Sequence, residues 1–183
     1  VNTPILATLI TRHSYDKILA ESGRGRPRGT TGAIVLDQPP ARLGAFIRHL
    51  LPGYQRVGLL SSDETRSQLP VLRQSLAGLF IDNEDVSGDP ALLGAINTLL
   101  PRVNLLLALP DSTIYKRENV KSILVTTFRH QRPVIAFSKA FVTAGALAAI
   151  YSTPAQLARQ SVDLLLAMPA GWVALPTVQV PGQ

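Results

Sequence analysis

The feature that most constrains this chain is an alternation of short apolar runs with helical periodicities between residues 56 and 137. Arg56 to Leu60 is an apolar run ending in Ser61-Ser62-Asp63-Glu64, and Leu69, Leu72 and Leu76 follow at helical spacing. Leu79-Phe80-Ile81 is a weaker run whose loop extends from Asp82 to Gly88. Pro90 to Leu100 then carries Leu92, Leu93, Ile96, Leu99 and Leu100 on one face. Val103 to Leu109 and Pro133 to Phe137 complete the set. Runs this short and this apolar are strands buried on both faces, and strands joined through helices make right-handed crossovers in a parallel sheet. The expectation is one Rossmann-like α/β sheet over residues 56–137.

The clearest unit is Val103 to Phe128. The Val103 strand, bounded by Pro101 and Pro110, runs into Asp111-Ser112-Thr113, after which Val120, Ile123, Leu124 and Phe128 predict an inward helix face. Ligands of open parallel sheets bind beyond the carboxyl ends of the strands. A carboxylate, two hydroxyls and helix amides at that place suit a small polar ligand. Asp, Ser and Thr are also the preferred helix caps, and on these residues alone a capping role for Asp111 or Ser112 is the commoner reading.

Upstream, Pro4 to Ile10 reads as a buried strand followed by Thr11-Arg12-His13. Ala33 to Leu36 is another strand, and Pro39-Pro40 opens a helix with Leu43, Phe46, Ile47, Leu50 and Leu51 on one face, stopped by Pro52-Gly53. Downstream, Ala146 to Ile150 is a strand. Pro154 starts a helix carrying Leu157, Ser161, Leu164, Leu165 and Met168, and Val173 to Val180 is a final extended segment that Pro176 demotes to an edge or a crossover. A chain that opens directly into a core strand suggests that preceding β/α units were removed or trimmed.

Composition narrows the function classes. Across 183 residues, 46% are hydrophobic and 16% charged, which excludes a disordered chain. No apolar run reaches membrane-spanning length. The absence of Cys removes disulfide and thiolate chemistry. The net charge of +6 invites a nucleic-acid partner, but only Arg24, Arg26 and Arg28 cluster, in a Gly/Pro-broken loop without aromatics, so a solvated basic loop is the expectation and nucleic acid is not. Gly23, Gly25 and Gly29 have the wrong spacing for a dinucleotide fingerprint, and there is no P-loop and no G-x-S-x-G elbow. His13, His49 and His130 sit on separate elements without metal-ligand spacing. Neither a cofactor, a metal nor catalysis is expected.

Four stretches in order carry a family resemblance: Thr31-Gly32 with the helix from Leu43 to Leu51; Leu51 to Leu60 (LPGYQRVGLL); Leu109 to Thr113 (LPDST); and Pro133 to Tyr151 (PVIAFSKAFVTAGALAAIY), followed by Leu157 to Leu166 (LARQSVDLLL). Together they resemble the substrate-binding proteins of ABC transporters of the tryptophan/tyrosine-type group, which have the type I periplasmic binding protein fold. The resemblance implies two Rossmann-like lobes with a ligand cleft between them. Residues 1–47 and 148–172 would be what remains of an incomplete first lobe, and residues 48–147 with 173–183 the second. It implies ligand contacts at Thr11, Arg12, Thr31, Ser61, Asp111, Ser112, Thr113, Ser138 and Lys139, an amino acid or small carboxylate as ligand, an ABC permease or other membrane partner, and a periplasmic or extracytoplasmic location. Where the family commonly has Thr-Asp-Pro, this chain has Thr11-Arg12-His13, and Lys139 stands where the family is often acidic; both changes favour an anionic ligand. With aromatics at 5%, a stacked indole or phenol has little support.

The functional expectation is a non-enzymatic solute-binding protein or a degenerate relative. The alternatives are a receiver-like signalling domain, resembled by Arg56 to Glu64, Pro133 to Ser138 and Ala144 to Ala146 but lacking a phosphoacceptor Asp beside Ala108, and a protein-interaction module with a relic cleft.

Overall fold

The computed structural model describes residues 4–22, 31–167 and 179–181. The chain divides into two compact units, residues 1–39 with 151–183 and residues 40–150. The larger unit holds β3 (Arg56–Ser61), β4 (Phe80–Asp85), β5 (Leu105–Leu107), β6 (Val134–Ala136) and β7 (Ala148–Ala149), in the order β4-β3-β5-β6-β7. Every neighbouring pair is parallel. The parallel α/β architecture read from the alternation is thus borne out.

The order has a physical consequence. From β3 the chain crosses outward to β4 and then back past β3 to β5, so the helices of the two crossovers lie on opposite faces. One face is covered by α2 (Pro40–Leu50) and α3 (Leu69–Ser75), whose Leu43, Ile47, Leu69 and Leu72, with Leu76 just beyond α3, bury Val57, Leu59, Leu105 and Leu107. The other is covered by α4 (Asp89–Leu99), α5 (Arg117–Arg129) and α6 (Lys139–Ala144), which supply Leu92, Ile96, Leu99, Ile123, Leu124 and Phe141 against Leu60, Leu106 and Ala108. The strict alternation along β5 and its flank, with Leu105, Leu107 and Leu109 to one core and Leu106 and Ala108 to the other, is the two-residue period of a strand buried on both sides.

Four details differ from expectation. Residues Asp82 to Asp85, read as a loop, extend β4 and pair along β3 as far as Ser61↔Asp85. Polarity misled the reading because β4 is an edge, where charged side chains are accommodated: Asp82 pairs with Arg56, Asn83 with Arg73 and Glu84 with Arg102. Phe128, read as inward, is 83% exposed on α5. Regular pairing in β5, β6 and β7 covers only the centres of the expected runs. The divide falls at Pro39/Pro40, so all of α2 belongs to the larger unit, because its leucines pack on the β3 face.

The smaller unit pairs β1 (Ile5–Ile10) with β2 (Thr31–Val35) in parallel, flanked by α1 (Arg12–Ser22) and α7 (Pro154–Leu166). Ile34 forms a parallel bridge with Gln179, so this part of the tail joins the smaller unit rather than the larger one. Tyr15, Ala33 and Val35 form its core. α7 opens on a capping box between Thr153 and Gln156. Among the described residues β1 has an unpaired edge, and Ile5 and Leu9 are exposed on it. The basic loop with Arg24, Arg26 and Arg28, Met168 and the segment 173–178 lie outside the described residues. No helix among the described residues is long and apolar enough to cross a membrane.

Gly58 on β3 faces α4 with no room to spare: a Cβ there would stand 2.9 Å from Val103 Cγ2, 3.2 Å from Leu99 Cδ2 and 3.3 Å from the Leu105 carbonyl oxygen. Gly58→Ala is expected to cost about 1–3 kcal/mol, measured by urea denaturation, through overpacking between sheet and helix.

Candidate functional site

The strand order reverses between β3 and β5, so the loops leaving their carboxyl ends diverge to opposite faces and leave a crevice, the position where open α/β sheets bind ligands. Here the crevice is floored by one side chain. Asp111, 3% exposed, accepts hydrogen bonds at Oδ1 from the amides of Thr113 and Ile114, both at 3.0 Å. At Oδ2 it accepts the Ser62 hydroxyl and the Thr65 hydroxyl, both at 2.7 Å, and the Ser62 amide at 3.3 Å. The carboxylate therefore ties the β5 loop to the β3 loop.

Above this floor the direction of donation reverses. Glu64, from the β3 loop, accepts the Ser112 amide at 2.8 Å, the Ser112 hydroxyl, and the Thr113 hydroxyl at 3.3 Å. Asp111 and Glu64 thus form two reciprocal clasps between the same loops. Asp111 is buried, whereas Ser112 is exposed and Glu64 and Thr113 are half-buried. The upper clasp is the part a ligand can reach.

The expected supply of free helix amides at residues 111–113 does not exist, because α5 begins only at Arg117. The amide of Ser112 goes to Glu64, those of Thr113 and Ile114 to Asp111, and that of Tyr115 to the Asp111 carbonyl. Asp111 itself is filled by loop donors at both oxygens, which leaves it no lone pair to offer an ammonium group in this arrangement. Ser62, Glu64 and Thr65 were not singled out as contacts. Their signal was the polar run Ser61 to Thr65 directly after a core strand, and its meaning depended on β3 and β5 being neighbours.

The remaining expected residues fall in several places. Ser61 is fully buried and donates to Asp85 on β4 at 2.6 Å, which aims it away from the crevice. That bond, reinforced by Arg66 at 3.3 Å, lowers the Asp85 pKa against the opposing effect of burial. Ser138 and Lys139 follow β6 at the same sheet edge, Ser138 extended at φ −155° and Lys139 exposed. In the smaller unit Thr11 caps α1: its Oγ1 accepts the Ser14 amide at 3.2 Å and donates to Ser14 Oγ at 2.9 Å. Arg12 forms an exposed ion pair with Asp16 at 3.3 Å, while its amide donates to Asp37 after β2 at 2.7 Å. Thr31 is the first residue of β2 and pairs with Ile5, which puts it at the amino end of a parallel pair, about 13 Å along the strand from the edge where Thr11 lies.

Next to the crevice Tyr115 packs edge-on against Phe137 and Phe141, at ring separations of 5.7 and 5.8 Å. Its hydroxyl is buried without a partner, and burial, with the nearby Asp111, raises its pKa. Among the described residues no three His, Cys, Asp or Glu side chains come together as a metal site.

Comparison with solved structures matches this architecture. The ABC domain from Streptococcus pneumonia in complex with L-Trp superposes with a TM-score of 0.69 at 16% identity, over 98% of this chain and 63% of that one. A conserved domain protein from Vibrio cholerae O1 biovar El Tor gives 0.68 at 17%, over 97% and 60%. A periplasmic sugar-binding protein of an ABC sugar transporter from Legionella pneumophila gives 0.57 at 17%, over 96% and 76%. This chain therefore has the α/β fold of the type I periplasmic substrate-binding proteins, and it spans less than two thirds of the first two of these chains. No protein-family model and no curated protein matches the sequence.

Two outcomes are expected. Asp111→Ala should cost about 3 kcal/mol or more in urea denaturation, because it strands buried donors on two loops, whereas a mere cap would cost about 1 kcal/mol; Ser112→Ala should stay within about 1 kcal/mol. Asp85, whose folded pKa lies below the ordinary 3.8, contributes stability that is present above the unfolded value and lost as pH falls through the folded one. Asp85→Asn should therefore be less stable than the parent at pH 7, with the gap closing in acid, as followed by thermal unfolding between neutral pH and pH values below the ordinary Asp range.

Proposed function

We propose that this chain is the binding unit of an extracytoplasmic solute-binding protein that captures a small solute rich in hydrogen-bond donors, without chemistry, and works with an ABC-type membrane partner. The observation that carries the reading is the upper clasp at the switch point. Glu64, Ser112 and Thr113 stand half-open above a base held rigid by Asp111. A site on such a base is preorganised, so binding does not have to pay for ordering the loops.

The chemistry of the clasp favours ammonium or hydroxyl groups on the ligand. The loop amides are consumed internally and Arg12 is paired with Asp16, so the acceptor capacity that Glu64 keeps beside its three loop donors, chiefly at Oε2, outweighs the anion preference expected from Arg12 and Lys139. An amino acid, as in the L-Trp complex, and a sugar, as in the sugar-binding protein, both bring such donors. A ligand that binds one conformation better than another shifts the protein towards it, and that shift is the signal a transport partner can read.

The receiver-like reading has the matching strand order in the larger unit. It lacks the chemistry, because β5 leads into Ala108 and Leu109 and the one carboxylate beyond them is engaged by Ser62, Thr65 and its own loop.

The test is a thermal-shift screen of the chain against amino acids, sugars and small carboxylates, followed by calorimetry. A solute at 100 times its Kd should add about 2.7 kcal/mol of stability. Glu64→Gln should weaken the best amino acid or sugar at least tenfold while the unliganded protein remains folded. Tighter binding of simple carboxylates, or a Glu64→Gln protein that binds as the parent does, would overturn the reading.

A further inference from the structure

α5 and α6 of the larger unit enclose a groove of about 1100 Å³ that the proposed solute site does not use. Val120 and Leu124 of α5 and Phe141 of α6 give it an apolar floor. At its open side Phe128 is 83% and Val125 42% exposed. Phe128 and Val125 adjoin the apolar floor, so the exposed apolar surface here is contiguous rather than scattered, and contiguous patches of this kind mark interaction sites.

The rim supplies the second argument. Arg117, Lys121 and Arg129 line the groove, and among the described residues no carboxylate does. Glu118 lies on the same helix but outside the lining. Lys121 and Arg129 are eight residues apart, about 12 Å along the helix, and Arg117 lies about 6 Å beyond Lys121. Positive charge therefore brackets the apolar floor at both ends.

We propose that this groove receives an acidic amphipathic α-helix of a partner protein, its apolar stripe on the floor and its carboxylates on the three cations. Helix-in-groove recognition needs a trough between two helices with apolar anchors inside and complementary charge at the rim, and both are present here. A second copy of this chain is the poorer occupant. Two such rims facing each other would oppose like charges, on a chain already at +6. A flat anionic bilayer fits a concave trough less well than a rod does.

The full chain is titrated by fluorescence anisotropy with three synthetic helical peptides: one with leucines at positions i, i+3, i+4, i+7 and i+11 and glutamates between them, one with lysines replacing the glutamates, and one scrambled acidic peptide. Sedimentation of the chain alone and co-sedimentation with phosphatidylglycerol vesicles run in parallel. The acidic amphipathic peptide should bind at least tenfold tighter than the other two and weaken with rising salt. Phe128→Ser should weaken it at least tenfold without lowering Tm, since the side chain packs little. The double variant Lys121→Glu with Arg129→Glu should reverse the preference towards the lysine peptide. Equal binding of acidic and basic peptides, or binding indifferent to Phe128→Ser, would overturn the proposal. A dimer that Phe128→Ser dissociates would assign the groove to a second copy instead, and vesicle binding without discrimination among the peptides would assign it to lipid.

Discussion

The carboxylate of Asp111 is the contact on which the carboxyl edge of the larger unit's sheet depends. A doubly wound sheet separates the loops at its switch point by sending them to opposite faces, and separated loops have no fixed geometry of their own. Asp111 removes that freedom by accepting donors from the Ser62 and Thr65 side of the crevice and from its own loop. Burial strengthens each of these bonds and makes the arrangement costly to leave half-formed. Glu64 can then present its carboxylate to Ser112 and Thr113 at the surface without bearing the load of holding the loops together.

The same division of labour runs across the larger unit. Buried leucines on two faces hold the sheet, charged pairs finish its β4 edge, and the Tyr115, Phe137 and Phe141 cluster fixes the end of the β5 loop against the end of β6. Polar groups that elsewhere would be free for a ligand, the amides of residues 112–115 above all, are spent on loop closure. A crevice built this way offers only the capacity its internal bonds leave over. At the crevice that is the remaining acceptor capacity of Glu64 and of the two hydroxyls bound to it, and at the α5/α6 groove it is an apolar floor with three cations. The two surfaces call for different partners.

Much of the fold was legible in the chain. The period of two in Leu105 to Leu109 and the helical spacing of Leu92, Ile96 and Leu99 are direct consequences of burial, and burial is written in side-chain polarity. The loop Asp111 to Thr113 was legible as important for the same reason, since three polar residues directly after a buried strand stand out. Its role was not, because a carboxylate that binds a ligand and one that clamps a loop have the same local sequence. Thr31 precedes the apolar run Ala33 to Leu36, so its place at the amino end of β2 was legible, whereas its part in a ligand site was only what the family resemblance implied. The stretch Asp82 to Asp85 was hidden by its charge, which is compatible with a strand only at an edge.

The sequence by itself determined the α/β class, the identity of the strands and the core faces of most helices, because these follow from local periodicity and from the requirement that apolar surface leave water. Only the tertiary structure decided that β3 and β5 are neighbours, and hence that Glu64 meets Ser112 and Asp111 meets Ser62, 48 or 49 residues away in the chain. Contacts at that separation depend on strand order, which arises from how the crossovers pack on the two faces and leaves no mark on the residues at either end.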